Sequence, residues 1–190
     1  IVKPHYYSVY LADHDITTEI TPTERAAMFR FTFPENEDSQ VVLDALDKGS
    51  YVKIIPGERK IIGYTTRNSG GVPDNFKNYF VMVFDKDFES TKTFSGEQLL
   101  EGLEIETDHA GAIVSFKTKK GEVVIAKVAS SFISYDQAEL NLKELGTDDF
   151  DTIKQNGRTA WNKELGRIKV EGGSIDQFRT FYSCLYRSLL

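Results

Sequence analysis

A single cysteine, Cys184, stands in 190 residues. One thiol excludes an intramolecular disulfide and any Cys-based zinc site. Long apolar runs are missing as well, since none approaches the 18 residues or more of a membrane-spanning helix. Positive charge is scarce: no block of five or more Lys or Arg occurs, and the net charge is −6. A basic face of the kind that grips a phosphate backbone is therefore not expected, which removes nucleic acid as a partner class. The chain starts at Ile1, not Met, as a processed or trimmed N-terminus does, so the want of a secretion leader says nothing about export. Nor does the sequence hold a P-loop, a G-x-G-x-x-G, a G-x-S-x-G or an H-E-x-x-H.

What is present is a core-forming composition. A hydrophobic fraction of 40% with 12% aromatics rules out global disorder, and the length suits one good core, or one domain plus a piece of another. Residues Ala27, Phe29, Phe31 and Phe33 alternate with Met28, Arg30 and Thr32, and Ile16, Thr18 and Ile20 alternate with Thr17, Glu19 and Thr21. This period of two predicts strands with one apolar and one mostly polar face. Tyr6 to Leu11, Val41 to Leu46, Tyr51 to Ile55, Lys60 to Thr66 and Ala112 to Thr118 extend the series, and the apolar run Tyr79 to Phe84 reads as a central strand covered on both faces. Lys119-Lys120-Gly121-Glu122 reads as a hairpin turn, with Lys117 to Lys120 at its tip. Many short strands with no helix between them imply an antiparallel sandwich or barrel.

The period changes after Phe132, where the stretch KVASSFISYDQAELNL from Lys127 to Leu142 joins a strand closed by Val128 and Phe132 to a helix opened by Ser134. Ser134 and Gln137 have the spacing of a capping box. Tyr135, Ala138, Leu142 and Leu145 share a helical face that stops at Gly146, and a second helix follows over about Asp149 to Leu165, with Phe150, Ile153, Ala160, Trp161 and Leu165 near one stripe. Gly157 weakens that helix by roughly 1 kcal/mol relative to Ala. A second capping-box pair, Ser174 and Gln177, opens a last helix whose stripe is Phe178, Phe181, Tyr182, Leu185, Tyr186 and Leu189. Burying one such side chain contributes about 1.5–3 kcal/mol. The stripe therefore requires a covering surface, supplied by the sandwich or by further helices. Cys184, on this helix, is expected to be a small buried hydrophobe.

Candidate chemistry is sparse. His5, His14 and His109 are scattered at turns and strand ends; Asp13-His14-Asp15 reads as a hairpin turn, Asp85-Lys86-Asp87 as a similar turn, and Asp148, Asp149 and Asp151 as carboxylates favoured by a helix N-terminus. The Asn68 to Asn75 loop with Gly70-Gly71 reads as a mobile turn, and Trp161 as core rather than a platform for a sugar. General acid–base catalysis by carboxyl groups needs two of them facing one reacting bond. Among 29 acidic residues no pair forms a readable constellation, so no catalytic, substrate-binding or metal-ligating residue is assigned.

The Lys127 to Leu142 string resembles a motif of the glycoside hydrolase family 92 α-mannosidases. So do PHYYSVYL (Pro4 to Leu11), ITPTERAAMFRFTFP (Ile20 to Pro34), and the run from Trp161 through VEGG (Val170 to Gly173) to FRTFYSCLYRSLL (Phe178 to Leu190), in the family's order across essentially the whole chain. Many members carry His where this chain has Phe29, and His near Arg187, which implies a subgroup. The resemblance implies a mainly β chain: an antiparallel β-sandwich of the supersandwich, galactose mutarotase-like type over residues 1–133, a helical linker over 134–173, and over 174–190 the first helix of an (α/α)6 barrel. It implies a fragment of an inverting, calcium-dependent exo-α-mannosidase acting on terminal α-mannosides, such as α-1,2-linked mannose of N-glycans or mannans. Catalytic carboxyls and Ca2+ ligands are then expected in the helical domain downstream, so that this chain alone is inert, and the family's Gly-, His- and Ser-rich sugar-contacting motifs are expected before Tyr6. The parent is expected to be exported to the periplasm or surface of a bacterium. The alternative is a non-catalytic β-sandwich module that binds glycans or proteins at a bacterial surface.

Overall fold

The computed structural model describes residues 1–190. Thirteen strands come first: β1 (Val2–Lys3), β2 (Tyr6–Leu11), β3 (Ile16–Pro22), β4 (Ala26–Phe33), β5 (Asn36–Asp44), β6 (Ser50–Ile55), β7 (Lys60–Thr65), β8 (Asn78–Phe84), β9 (Ser90–Ser95), β10 (Gln98–Leu100), β11 (Glu104–Thr107), β12 (Ala110–Thr118) and β13 (Glu122–Ser131). Helices α1 (Tyr135–Leu142), α2 (Phe150–Leu165) and α3 (Ile175–Arg187) follow. A single 3-10 turn, Pro56–Glu58, interrupts the β region, as the period-two reading requires. No helix is long and apolar enough to cross a membrane.

The strands form two antiparallel sheets. The larger has the order β1-β2-β3-β4-β13-β8-β7-β6-β11, the smaller β10-β9-β12-β5. Between them lies the main core, where Phe33, Val52, Ile54, Ile61, Phe84 and Val124 of the large sheet meet Val41, Ala112, Val114 and Phe116 of the small one. Two glycines sit opposite phenylalanines in the ladders, Gly63 across from Phe80 and Gly111 across from Phe94. A Cβ at either position would overlap the facing ring, so the rings pack onto bare backbone and only glycine fits.

The Lys119–Glu122 turn is not a hairpin: β12 pairs with β5 and β9, β13 with β4 and β8, so the turn carries the chain from one sheet to the other. Gly121, at φ 77°, still supplies the left-handed residue. Phe132 lies beyond the end of β13 and is 70% exposed, its ring against Phe76 at 5.5 Å instead of in the core. The polar faces of β3 and β4 are not solvent faces. Thr21 and Glu19 are buried and Met28 is 1% exposed, because helices cover the outer side of this end of the large sheet.

Each helix has its own attachment. At α1, Ser134 Oγ accepts from the Gln137 N–H at 3.1 Å, but the Gln137 amide donates to Asn141 Oδ1 instead of back to the cap. The box is half-formed because Asn141 is needed elsewhere: buried, it donates to the Ser130 carbonyl of β13. Leu145, Phe150 and Ile153 then pack with Tyr6, Ala26, Met28 and Ala129 in a second core. Asp149 caps α2 by accepting from the Thr152 N–H at 2.8 Å. At Gly157 the helix runs close against the β1–β2 turn, as a Cβ there would lie 3.0 Å from the His5 Cβ. Helix α3 has the complete capping box but buries no residue. It touches its surroundings through Tyr186 on Trp161, ring centroids 4.9 Å apart, and through Tyr182 Oη donating to the Ile168 carbonyl. Cys184 is exposed, contrary to the buried role expected of it, because it points away from that contact while Tyr182 and Tyr186 take the covered side.

One polar group on the helix-covered face decides how α2 sits. The Arg30 guanidinium donates twice to Glu19, at 2.5 and 2.8 Å, and once to Asp151 Oδ2 of α2 at 2.9 Å, with the Phe150 ring 4.2 Å from its carbon. Tyr6 Oη completes the Glu19 shell at 2.6 Å. Hydrogen bonding to Arg30 holds the Glu19 carboxyl below its ordinary range against the opposing effect of burial. With side chains 21% and 12% exposed, the pair is largely withdrawn from water. Removing Arg30 alone thus strands a buried carboxylate. Arg30→Met is expected to lower stability by about 2–3 kcal/mol at neutral pH, with Glu19→Gln added to it recovering part of the loss. Because the native Glu19 pKa is depressed, its contribution is complete above the unfolded value of 4.5 and vanishes as pH falls through the native value. Chemical denaturation at pH 7 and below pH 4 checks this: the gap between the two proteins should narrow in acid, and a gap independent of pH would contradict the assignment.

Candidate functional site

Beyond the helices, the outer face of the large sheet carries a row of aromatic residues that sequence reading missed. The register places Glu106 opposite Tyr51, Tyr51 opposite Tyr64, and Tyr64 opposite Tyr79 on four adjacent strands. Tyr51 and Tyr64 stack at 5.6 Å, Tyr64 and Tyr79 meet edge-on at 6.0 Å, and Tyr135 at the start of α1 closes the row at 4.8 Å from Tyr79. Tyr51 Oη donates to Glu104 at 2.9 Å, Tyr64 Oη donates to Glu106, and the Lys77 ammonium lies 3.7 Å from the Tyr64 ring centroid. Burial and then the Glu104 carboxylate push the Tyr51 phenol up to about 12. Tyr64 and Tyr135 also move up, burial being the first cause in both. The row was invisible in the sequence because β11 was not foreseen and three tyrosines 13 and 15 positions apart align only once register is known.

The five carboxyl groups whose pKa is displaced are all shifted away from a general acid's range. A general acid needs its pKa raised, whereas Glu19, Glu104, Glu122, Glu144 and Asp149 all move down. Lys53 and Tyr51 hold Glu104, Lys86 holds Glu122, and Glu144 accepts from Thr23 Oγ1, the Arg25 N–H and Arg25 Nε at 2.8, 3.0 and 2.5 Å. These are fixed anions that tie elements together. No group of three or more His, Cys, Asp or Glu side chains converges as a metal site would. Asp13-His14-Asp15 forms the β2–β3 hairpin, Asp149 caps α2, and Asp151 pairs with Arg30. His109 binds Asp44 at 2.7 Å, and His5 is buried beneath α2. In the Gly70-Gly71 loop, Asn68 Oδ1 accepts from the Gly70 N–H while Asn68 Nδ2 donates to the Thr66 carbonyl, so the side chain is spent on the turn itself. The carboxylate chemistry of this chain does not fit a calcium ion.

Trp161 departs from its expected place in the core. It is half-buried at the lip of a groove of about 510 Å3 between the β3–β4 turn and α2, with Pro22, Glu24, Glu144, Asp148 and Asn156 along its walls. Its other face meets Tyr186. The groove gathers the carboxylates of Glu24, Glu144 and Asp148, and the tyrosine row gathers phenols with Glu104 and Glu106.

Comparison with known proteins places this geometry. The model described as "Glycosyl hydrolase family 92 N-terminal domain" matches residues 1–131, and that described as "Glycosyl hydrolase family 92 catalytic domain" matches residues 137–190. The solved structure of the family GH92 inverting mannosidase BT2199 from Bacteroides thetaiotaomicron VPI-5482 superposes with a TM-score of 0.94 at 42% identity, covering 100% of this chain and 26% of that one. That of the family GH92 alpha-mannosidase BT3965 from Bacteroides thetaiotaomicron gives 0.88 at 30% identity, over 98% and 26%. A protein described as an uncharacterized secreted glycosidase, from Arthroderma benhamiae, is 28% identical over 99% of this chain and 28% of its own length. The chain thus spans about a quarter of the length of these relatives.

The tyrosine row makes a spectroscopic prediction. In an alkaline absorbance titration of the nine tyrosines, Tyr51 should stay neutral until about pH 12, and Tyr51→Phe should remove one phenolate from the top of the curve. If Tyr51→Phe instead removes a phenolate that titrates near 10, the row is open to water and its geometry is wrong.

Proposed function

The chain belongs to glycosyl hydrolase family 92, and on that premise we propose that it is the scaffold part of an exo-α-mannosidase. In this reading residues 1–133 are the sandwich domain, 134–173 the linker, and 174–190 the opening helix of a helical barrel. The observation that carries it is the superposition over the whole chain on the inverting mannosidase at 42% identity. A structure of the BT3965 relative in complex with mannoimidazole supports a mannose-like ligand for the class. The reading extends to terminal α-mannosides, α-1,2-linked residues of N-glycans or mannans among them, and to cleavage with inversion.

This division of labour agrees with the chemistry of the residues. Glu19, Glu104, Glu122, Glu144 and Asp149 are held ionised by cations, hydroxyls and backbone N–H groups, and in this reading the general acid and base belong to the helical catalytic domain. The calcium ion that the family implies is assigned there too, because the acidic turns of this chain do not converge on a common point. The sandwich and linker then position that domain. The partly covered stripe of α3, with Leu189 46% exposed, is the surface that its helices would pack on. Export to the periplasm or surface of a bacterium is part of the proposal; the secreted relative supports export in general.

The test uses mannobioses of defined linkage. The 190-residue chain with calcium should release no mannose, while the intact enzyme that contains it should release it, β-anomer first, and lose activity to a chelator. Turnover by the chain alone on the order of 1 s⁻¹ or more would contradict the proposal. An intact enzyme that binds mannosides without cleaving them would favour a non-catalytic binding module.

A further inference from the structure

A second cavity, of about 390 Å3, opens between the β1–β2 turn and α2. That volume is in the range of small-molecule sites, about 300–1,000 Å3. Its lining includes Lys3, His5, Lys154 and Arg158. Lys154 and Arg158 are one helical turn apart, on the same face of α2, and like charges at that spacing repel. None of the three cations forms an ion pair, although the chain carries 29 acidic residues and a net charge of −6. The acidic residue on the wall, Asp151, is already held by Arg30. Lys154 packs its ammonium 3.6 Å from the Tyr6 ring centroid, near enough to favour the Glu19 carboxylate but without forming an ion pair with it.

We propose that this pocket is a binding site for a tetrahedral oxyanion, a phosphate or sulfate group either free or esterified to a sugar. The planar guanidinium of Arg158 offers two parallel donors to such a group, Lys3 and Lys154 offer charge from two sides, and the Gln155 amide lies on the rim. His5 sits at the base, buried against α2 where Gly157 leaves room for it. Burial, followed by Lys3, Arg158 and Lys154, keeps its pKa below the ordinary 6.5. The Ile1 α-ammonium, which donates to the Ser8 carbonyl at 2.7 Å, Tyr6 and Asp151 are the remaining titratable groups on the wall. An anion held among the cations reverses their effect on the imidazole and raises that pKa, so its affinity increases as pH falls through it. The site stands on its own geometry and does not depend on the mannosidase reading.

The test is an NMR titration of the 190-residue chain with sodium phosphate at constant ionic strength, repeated with mannose 6-phosphate and with methyl α-mannoside. Saturable shifts at His5, Lys154 and Arg158, together with a higher His5 pKa at saturating phosphate, are expected. Arg158→Gln and Lys3→Gln, both at exposed positions, should each weaken binding by about tenfold, while Lys163→Gln, on the same helix outside the pocket, should leave it unchanged. Tighter binding of the sugar phosphate than of inorganic phosphate identifies an esterified ligand, and equal binding identifies the free anion. An unresponsive His5, undiminished affinity in Arg158→Gln, or equal shifts with methyl α-mannoside would overturn the proposal. Melting curves of the variants separate lost binding from lost fold.

Discussion

A nine-stranded sheet has two faces to cover, and a four-stranded sheet covers only part of one. Much of this molecule follows from that mismatch. The inner face meets the small sheet over β4, β13, β8, β7 and β6, where Phe33, Val124, Phe84 and Ile61 are buried. The outer face is covered at one end by the residues after Ser134, whose Leu145, Phe150 and Ile153 seal Met28 and Ala129. Toward the other end helix cover stops at α1, whose Tyr135 meets Tyr79, and the surface beyond is Tyr51 and Tyr64 with Glu104 and Glu106. The helical segment is thus a part of the sandwich rather than an appendage to it.

Covering the outer face with helices creates a polar problem, and its solution fixes geometry. Glu19 and Arg30 lie on the covered side, where unpaired charge is costly. Their mutual bidentate contact, extended to Asp151, converts that problem into a directional attachment for α2. Glu144, gathering Thr23 and Arg25, and Asn141, reaching the Ser130 carbonyl, act in the same way nearer the linker's start. Three attachments at successive points tie the segment after Ser134 to the sandwich as far as the first half of α2. Helix α3 has an aromatic contact and one hydrogen bond to the rest. In an enzyme of the proposed kind, such a gradient keeps the linker's angle constant while leaving α3 free to take its place among other helices.

The sequence announced most of the architecture, and the reasons it stopped are physical. Period-two alternation marked β2, β3 and β4, and the change of period at Ser134 marked the end of the sheets, because both are local properties of the chain. Whether β12 turns back on β13 or crosses to another sheet is not local: the Lys119–Glu122 turn has the same chemistry either way. Phe132 reads as the end of a strand, yet its ring goes to Phe76 on the surface. Cys184 and Trp161 were assigned to the core from helical spacing alone, which locates a face without saying what covers it. The clusters that define surfaces, Tyr51 with Tyr64 and Tyr79, or Lys3 with Arg158, join residues from distant elements and exist only in the folded register. The family resemblance was carried by linear motifs and is matched by the superposition, whereas no residue for catalysis could be read from either.

Native-state hydrogen exchange distinguishes how firmly α2 and α3 are held, since it reports the opening free energy of each segment separately. If α2 is tied into the sandwich and α3 is not, the amides of Ile153 to Gly157 should exchange within about tenfold of those of Val124 to Val128 in β13, and the amides of Phe181 to Leu185 at least about 100-fold faster. Protection of α3 equal to that of β13, or α2 exchanging as fast as α3, would contradict the account of a linker tied to the sandwich through Arg30.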